Sequence, residues 1–245
     1  MYDSLMSILI TGGHSPIAIN IANTLSKFQN TILLTRYIDP SILGIVNENV
    51  QLKVSDFESD DVQTEMTKII RDNNVNSVVF THRYRGNFNP VKQYGVEIEF
   101  TYNLIKNLLR INQEYLTKIV ILTSLASELI FNDQDYFYHS NKSALEAMVK
   151  FFSTQYRVEK LQINSIKPGA YVYKERAKGY YSKNPELINF IEESTPLKRF
   201  IQLEEISTLC KFLMFDAPLG INGTSIILDG GLSNASQSNF RASRS

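Results

Sequence analysis

The sequence predicts an α/β fold with a doubly wound, seven-stranded parallel sheet covered by helices on both faces. Three observations lead there. Seven short apolar segments recur along the chain, most of them rich in Ile, Val and Leu. Between them lie stretches with apolar residues at helical spacing, so strand and helix alternate from the start. Most strand segments are apolar throughout, as expected when helices cover both faces of a sheet. With 245 residues and 43% hydrophobic content, the chain can bury one large core of this kind.

The first strand is Ser7–Thr11, and 17–28 follows with helical spacing. Thr31–Thr35, Val50–Val54 and Ser77–Thr81 are the next strands, with helical patterns at Asp60–Asp72 and Gly95–Leu109. The fifth strand, Lys118–Thr123, runs straight into Ser124. The long helix Phe137–Tyr156 buries Ala144, Leu145, Met148, Val149 and Phe152. Leu161–Lys167 and Ser225–Leu228 complete the sheet. In such sheets ligands bind beyond the carboxyl ends of the strands. Thr11, Arg36, Asp56, Thr81, Ser124 and Pro168 all follow strand ends, so they converge on one edge.

Bulk properties narrow the function. Formal charge is zero and the pI is near 6.8, which gives no electrostatic case for nucleic acid or an anionic membrane. The one cysteine, Cys210, excludes an intramolecular disulfide, supports no metal cluster, and reads as a small core residue. No apolar run approaches the ~20 residues of a membrane span, and no basic-then-apolar signal opens the chain. A soluble cytoplasmic protein is expected. Residues 1–232 read as a single domain, and the polar end, 233–245, as a disordered tail.

The chemistry centres on 118–142. Tyr138 and Lys142, four positions apart on a helix, lie on one face. A free phenol titrates near ~10, and an adjacent ammonium favours the phenolate, which makes the proton easier to pass on. Ser124, at the preceding strand end, can hydrogen-bond the substrate oxygen that receives it. Tyr-x-x-x-Lys also occurs at Tyr102/Lys106 and Tyr156/Lys160, so the spacing alone decides little. Only the middle pair follows a strand ending in serine.

In that context the chain resembles the Ser–Tyr–Lys site of the short-chain dehydrogenase/reductase family, whose fold is a Rossmann-type three-layer sandwich. The resemblance runs from Ser7 to Leu232. Thr11-Gly12-Gly13-His14-Ser15-Pro16-Ile17-Ala18 is similar to the family's Thr-Gly-x-x-x-Gly-x-Gly, with Pro16 and Ala18 in place of glycines. Gly12, Ser15 and Ile17 are then expected to hold a pyrophosphate at a helix N-terminus; the alternative is a plain strand–turn–helix. Thr35 stands where an NAD-binding chain usually has an acid, and the next residue, Arg36, suits a 2′-phosphate. NADP(H) is therefore the expected cofactor, unless Arg36 is merely a solvated charge. Asp56 and Phe57 resemble the family's turn beside the adenine.

Two departures stand out. Thr81-His82-Arg83-Tyr84 replaces Asn-Asn-Ala-Gly, so Thr81 and His82 fall on the cofactor, and the bulky side chains, with Arg83 and Arg85, either close the adenosine pocket, reach phosphates or form a charge cluster on a surface loop. Glu97 falls where the family's catalytic asparagine holds a water, and it is either a relay residue or a solvated helix residue. Downstream, Asn164-Ser-Ile-Lys-Pro168-Gly169 resembles Asn-x-Ile-x-Pro-Gly, which places Pro168 and Gly169 at the nicotinamide. Tyr171 and Tyr173 follow, and 171–193 corresponds to the family's mobile substrate lid.

The resemblance implies a small-molecule carbonyl/alcohol substrate. Tyr138 would be its proton donor, Ser124 (or less directly Ser127) would orient its oxygen, and Lys142 would hold the ribose. It also implies a homodimer or homotetramer through helices at 95–109 and 137–156, whose apolar residues Phe100, Leu104, Leu108 and Phe151 exceed one stripe. A binding or regulatory member that has lost catalysis is the alternative.

Overall fold

The computed structural model describes residues 6–132, 134–157, 159–169, 172–173 and 178–234. Seven strands form one parallel sheet: β1 (Ser7–Ile10), β2 (Asn30–Thr35), β3 (Val50–Val54), β4 (Val75–Phe80), β5 (Thr117–Leu122), β6 (Leu161–Pro168) and β7 (Ser225–Leu228). Their order is β3-β2-β1-β4-β5-β6-β7, so the direction of winding reverses between β1 and β4. Ile8–Ile10 pair with Thr31–Leu33 on one side and with Ser77–Val79 on the other. That reversal is where an open sheet leaves a crevice for a ligand.

The helices are α1 (Pro16–Leu25), α2 (Pro40–Leu43), α3 (Val62–Asp72), α4 (Pro90–Tyr94), α5 (Phe100–Ile111), α6 (Tyr136–Gln155), α7 (Lys178–Lys183), α8 (Pro185–Ser194) and α9 (Leu203–Lys211). Successive strand residues point to opposite faces, and the core divides accordingly. Leu9, Ile32, Val78, Ile119 and Ile163 pack beneath α3, α5 and α6. Ile8, Ile10, Leu33, Val79 and Val120 pack beneath α1 and α9. Each fully buried Leu or Ile contributes about 1.5–3 kcal/mol relative to exposure, so this two-sided burial is what fixes the strand ends in space.

The strands lie within two residues of their expected bounds, and α6 begins one residue early. The helix expected over 95–109 is composite. It opens with α4, whose Asn89 cap accepts the Lys92 N–H at 3.1 Å, passes through a π-turn (Gly95–Glu99) and continues as α5. Within the lid segment, 178–183 and 185–194 are helical, whereas Tyr171 lies outside the described residues. At the C-terminal end Ser233 and Asn234 belong to a short 3-10 turn, with Ser233 N–H donating to Asp229 at 2.7 Å. The rest of the expected disordered tail, 235–245, is outside the described residues.

Candidate functional site

The strand ends β1 and β4 are locked together. The Thr81 hydroxyl donates to the Thr11 carbonyl at 2.5 Å, and the Thr81 N–H donates to the Thr11 hydroxyl at 3.2 Å. Gly12 has φ +86°, and a Cβ there would lie 2.9 Å from the His82 backbone. Only glycine allows this approach. The loop then turns into α1 with Pro16 in its first turn, where a missing N–H costs nothing. Ser15 is the N-cap, yet its side chain makes no capping bond. The first-turn amides of Ile17 and Ala18 have no acceptor within their own helix, so this end of α1 is open toward the cavity that Ser15 and Ile17 line.

That cavity, about 310 Å³, unites the expected chemistry. Ser124, Tyr138 and Lys142 line it together with Ser15, Ile17, Thr81, Pro168 and Gly169. A second cavity of about 230 Å³ adjoins it, containing Gly12 and sharing Ser15, Thr81, Arg83 and Arg85. The Ser124 oxygen accepts the Ala126 N–H at 3.2 Å, which leaves its own proton to donate. Ser127 instead turns its hydroxyl to the Ser124 carbonyl at 2.9 Å. Asp135 caps α6 by accepting the Tyr138 N–H at 2.8 Å, and this sets the phenol's angle of entry. Lys142 is buried; its ammonium lies 3.4 Å from the Leu122 carbonyl and 5.7 Å from the Tyr138 ring centre.

Three expected site residues are placed differently. His82 is buried among Phe57, Phe80 and Phe100, and both ring nitrogens are engaged. Nε2 faces the Val96 carbonyl at 2.9 Å, which can only accept, so Nε2 carries the proton. Nδ1 then accepts from the Thr11 hydroxyl at 2.8 Å. Burial, with the Lys142 charge adding to it, lowers the His82 pKa to about 4 despite the Val96 contact. The ring is neutral and both its nitrogens are bonded within the fold, while His82 also lines the second cavity with Gly12 and Ser15. Phe57 stacks on Phe100 with centroids 4.2 Å apart, on the rim of the core. Glu97 is not a solvated helix residue: it is 1% exposed on the π-turn, accepting the Tyr84 N–H at 3.1 Å and the Asn141 amide at 3.4 Å.

Arg36 and Asp56 remain on the exposed edge. The Arg36 guanidinium is 3.8 Å from Glu58, and the Asp56 carboxylate accepts the Glu58 N–H at 3.1 Å. Thr35 is bonded to His14 Nδ1 at 2.8 Å, and the His14 ring packs on Tyr37.

The sequence reading missed where Arg83 goes. Its guanidinium lies over the Tyr138 ring, 4.2 Å from the centroid, and donates to Gln134 at 3.3 Å. It also missed a buried polar cluster beside α6. The buried Glu146 carboxylate on α6 accepts from the Thr123, Ser165 and Ser225 hydroxyls of three consecutive strand ends and edges. Lys167, 2% exposed, sits 2.5 Å from Glu128 and 3.9 Å from Glu146. Among the described residues no helix is long and apolar enough to cross a membrane, and no cluster could hold a metal ion.

Comparison with known proteins agrees with this geometry. Residues 91–233 match the family model described as Enoyl-(Acyl carrier protein) reductase. Enoyl-[acyl-carrier-protein] reductase [NADH] FabI of Enterococcus faecalis is 32% identical over 114 residues, covering 46% of this chain and 44% of the relative. Carbonyl reductase [NADPH] 2 of Sus scrofa is 28% identical over 95 residues, 38% of each chain. The matched stretch is thus less than half the length of either curated relative. The Pseudomonas aeruginosa RhlG/NADP active-site complex superposes with a TM-score of 0.78, covering 93% of this chain and 96% of the other at 19% identity, a likeness of fold. With the family model spanning more than half of the sequence, and the sheet order and strand-end cavity in accord, the chain belongs to the short-chain dehydrogenase/reductase family.

Proposed function

We propose that the protein is an NADP(H)-dependent oxidoreductase acting on a carbonyl/alcohol pair, with Ser124, Tyr138 and Lys142 as its reactive set. The observation that carries this reading is their meeting in one cavity with Ser15 and Ile17 of the open α1 end and with Pro168–Gly169. The residues fit a dinucleotide. The uncapped N-terminus of α1 and the Ser15 hydroxyl suit a diphosphate, and Gly12 keeps the loop close to the β4 exit. Lys142 would hold the ribose, Pro168 and Gly169 the nicotinamide, and Arg36 a 2′-phosphate. Bound there, the nicotinamide supplies or takes up hydride. Tyr138 gives the proton to the substrate oxygen on reduction, or takes it on oxidation. Ser124 donates its hydroxyl proton to the same oxygen and orients it.

Calorimetric titration with NADPH and NADH tests this first. NADPH should bind the tighter of the two, and Arg36→Ala should remove roughly ten- to hundredfold of affinity, the value of a charge-assisted phosphate contact. Equal binding of both cofactors by the unmodified protein takes Arg36 out of the site. No binding at millimolar NADPH sinks the reductase reading. One observation favours a second reading: Arg83 stands over Tyr138 inside the cavity. A binding or regulatory member that has lost catalysis would show no measurable NADPH affinity and reduce no ketone or aldehyde, whereas NADPH binding without turnover would leave the substrate as the missing piece. A homodimer or homotetramer is proposed as the working assembly.

A further inference from the structure

Arg83 and His82 are adjacent, yet their side chains part. His82 turns inward to Thr11 and Val96, whereas Arg83 extends across the cavity to the α6 side. There its guanidinium lies on the Tyr138 ring and reaches Gln134. Gln134 is neutral, so it orients the cation without cancelling the charge. Glu97 on the π-turn spends its carboxylate on Tyr84 and Asn141, and Asp135, next to Gln134, spends its own on the Tyr138 N–H. Among the described residues Arg83 has no carboxylate partner within ion-pair distance. Three cations, Arg83, Arg85 and Lys142, line the cavity, and no described Asp or Glu does.

The cations divide by position. Ser15 and Ile17 approach from α1, where a diphosphate fits, and Arg83 and Arg85 each line both cavities. Lys142 is held beside Leu122 on its own helix face. The Arg83 guanidinium lies nearer the Tyr138 ring centre than the Lys142 ammonium does, 4.2 Å against 5.7 Å, and Phe131 and Gln134 line the same cavity. A guanidinium in a half-buried cavity presents a planar fork that matches a carboxylate or phosphate.

We propose that Arg83 selects carbonyl compounds bearing an anionic group, a carboxylate or a phosphate, within a few bonds of the reacting carbon. This rests on the reductase reading above. Arg83 binds the anion and thereby sets the carbonyl oxygen against Tyr138 and Ser124, so its contribution falls on substrate capture.

The test compares matched pairs in NADPH consumption: acetoacetate against ethyl acetoacetate, and dihydroxyacetone phosphate against dihydroxyacetone. At least one anion should exceed its neutral partner tenfold or more in kcat/KM, and the pair that shows it separates carboxylate from phosphate. Arg83→Gln should erase that advantage mainly through KM, by roughly ten- to hundredfold, with Arg83→Lys recovering part of it. NADPH affinity, followed by its fluorescence, should move less than threefold in Arg83→Gln. Equal use of anion and neutral partner, or equal loss of both in the variant, overturns the proposal. So does a large loss of NADPH affinity, which would assign Arg83 to the dinucleotide. If none of the four compounds is reduced, an anion must still raise the melting temperature of the NADPH complex and fail to do so in Arg83→Gln; otherwise the proposal falls. Absent NADPH binding is the separate failure that removes the reductase reading. An anion-induced shift in the free protein that Arg83→Gln abolishes would then support the anion site alone.

Discussion

At the scale of single residues, Tyr138 carries the sharpest expectation. Tyr138→Phe removes the hydroxyl and leaves the ring on which Arg83 rests. NADPH binding should persist, while carbonyl reduction drops by about 10²–10⁴-fold, the usual worth of general acid catalysis. Lys142→Ala should harm both steps. A Tyr138→Phe enzyme with undiminished turnover, measured by steady-state kinetics, would exclude the phenol as proton donor. His82 gives a stability signature instead. Its folded pKa, about 4, lies below the ordinary value of 6.5, so below pH 6.5 the unfolded chain takes up a proton that the folded one resists. Its contribution is present above pH 6.5 and is lost progressively as pH falls toward 4. Between pH 7 and pH 5 the loss should be about 2 kcal/mol, read by urea unfolding and absent from His82→Gln. An equal acid limb in both proteins would contradict the assignment.

At the scale of elements, the π-turn (Gly95–Glu99) matters most. π-turns place one extra residue per turn and recur at functional sites. Here the turn buries Glu97, whose carboxylate holds the β4 exit through Tyr84 and α6 through Asn141. Glu97→Ala strands those donors and should cost about 1–3 kcal/mol. Glu97→Gln keeps an acceptor of the same reach and should unfold close to wild type. Should chemical denaturation show no difference between the two, the carboxylate has no bracing role. For the relay role expected from sequence, Glu97→Asn should preserve or raise turnover.

The strands were legible because apolar residues on both faces leave little choice of register. Ser124, Tyr138 and Lys142 were legible because their relation is local, a strand end and one helical turn. The π-turn was not. Val96, Ile98, Thr101 and Leu104 are all buried, so the apolar pattern runs through the added residue without a visible break. Nor could sequence tell that His82 faces the core and Arg83 the cavity, since tertiary partners decide both. The short α2 was missed although Asp39 accepts the Ile42 N–H at 3.1 Å and Pro40 opens the turn, a recognised start signal.

At the scale of the whole molecule, the surface bears on assembly. Of the four apolar residues taken from sequence as surplus, Phe100, Leu104 and Leu108 belong to the core, because α5 packs against both α3 and the sheet. Phe151 on α6 is 51% exposed, however, and Tyr102 on α5 is 40% exposed. Tyr102 and Phe151 both contact the buried Phe152, so α5 and α6 each expose an aromatic ring around it. Burying these rings against a second copy would be favourable, and closed twofold pairing is the commonest solution. Light scattering at micromolar concentration should therefore report a dimer or tetramer, and Phe151→Glu should lower the mass. A monomer before any substitution refutes the assembly.

The Glu146 cluster has a consequence for the order in which the chain is built. Its carboxylate rides on α6, the helix that carries Tyr138 and Lys142, but one of its hydroxyl donors, Ser225, belongs to β7, the last of the seven described strands to be synthesised. Thr123 and Ser165 are in place far earlier. Until β7 docks beside β6, the Glu146 carboxylate lacks one of its protein donors and that side of α6 stays open to water, and nascent chains otherwise gain structure from the N-terminal side. A ribosome-bound chain arrested before residue 225 should thus hold a sheet whose central strands resist protease while α6 remains open to cutting. Extending the chain past β7 should close it.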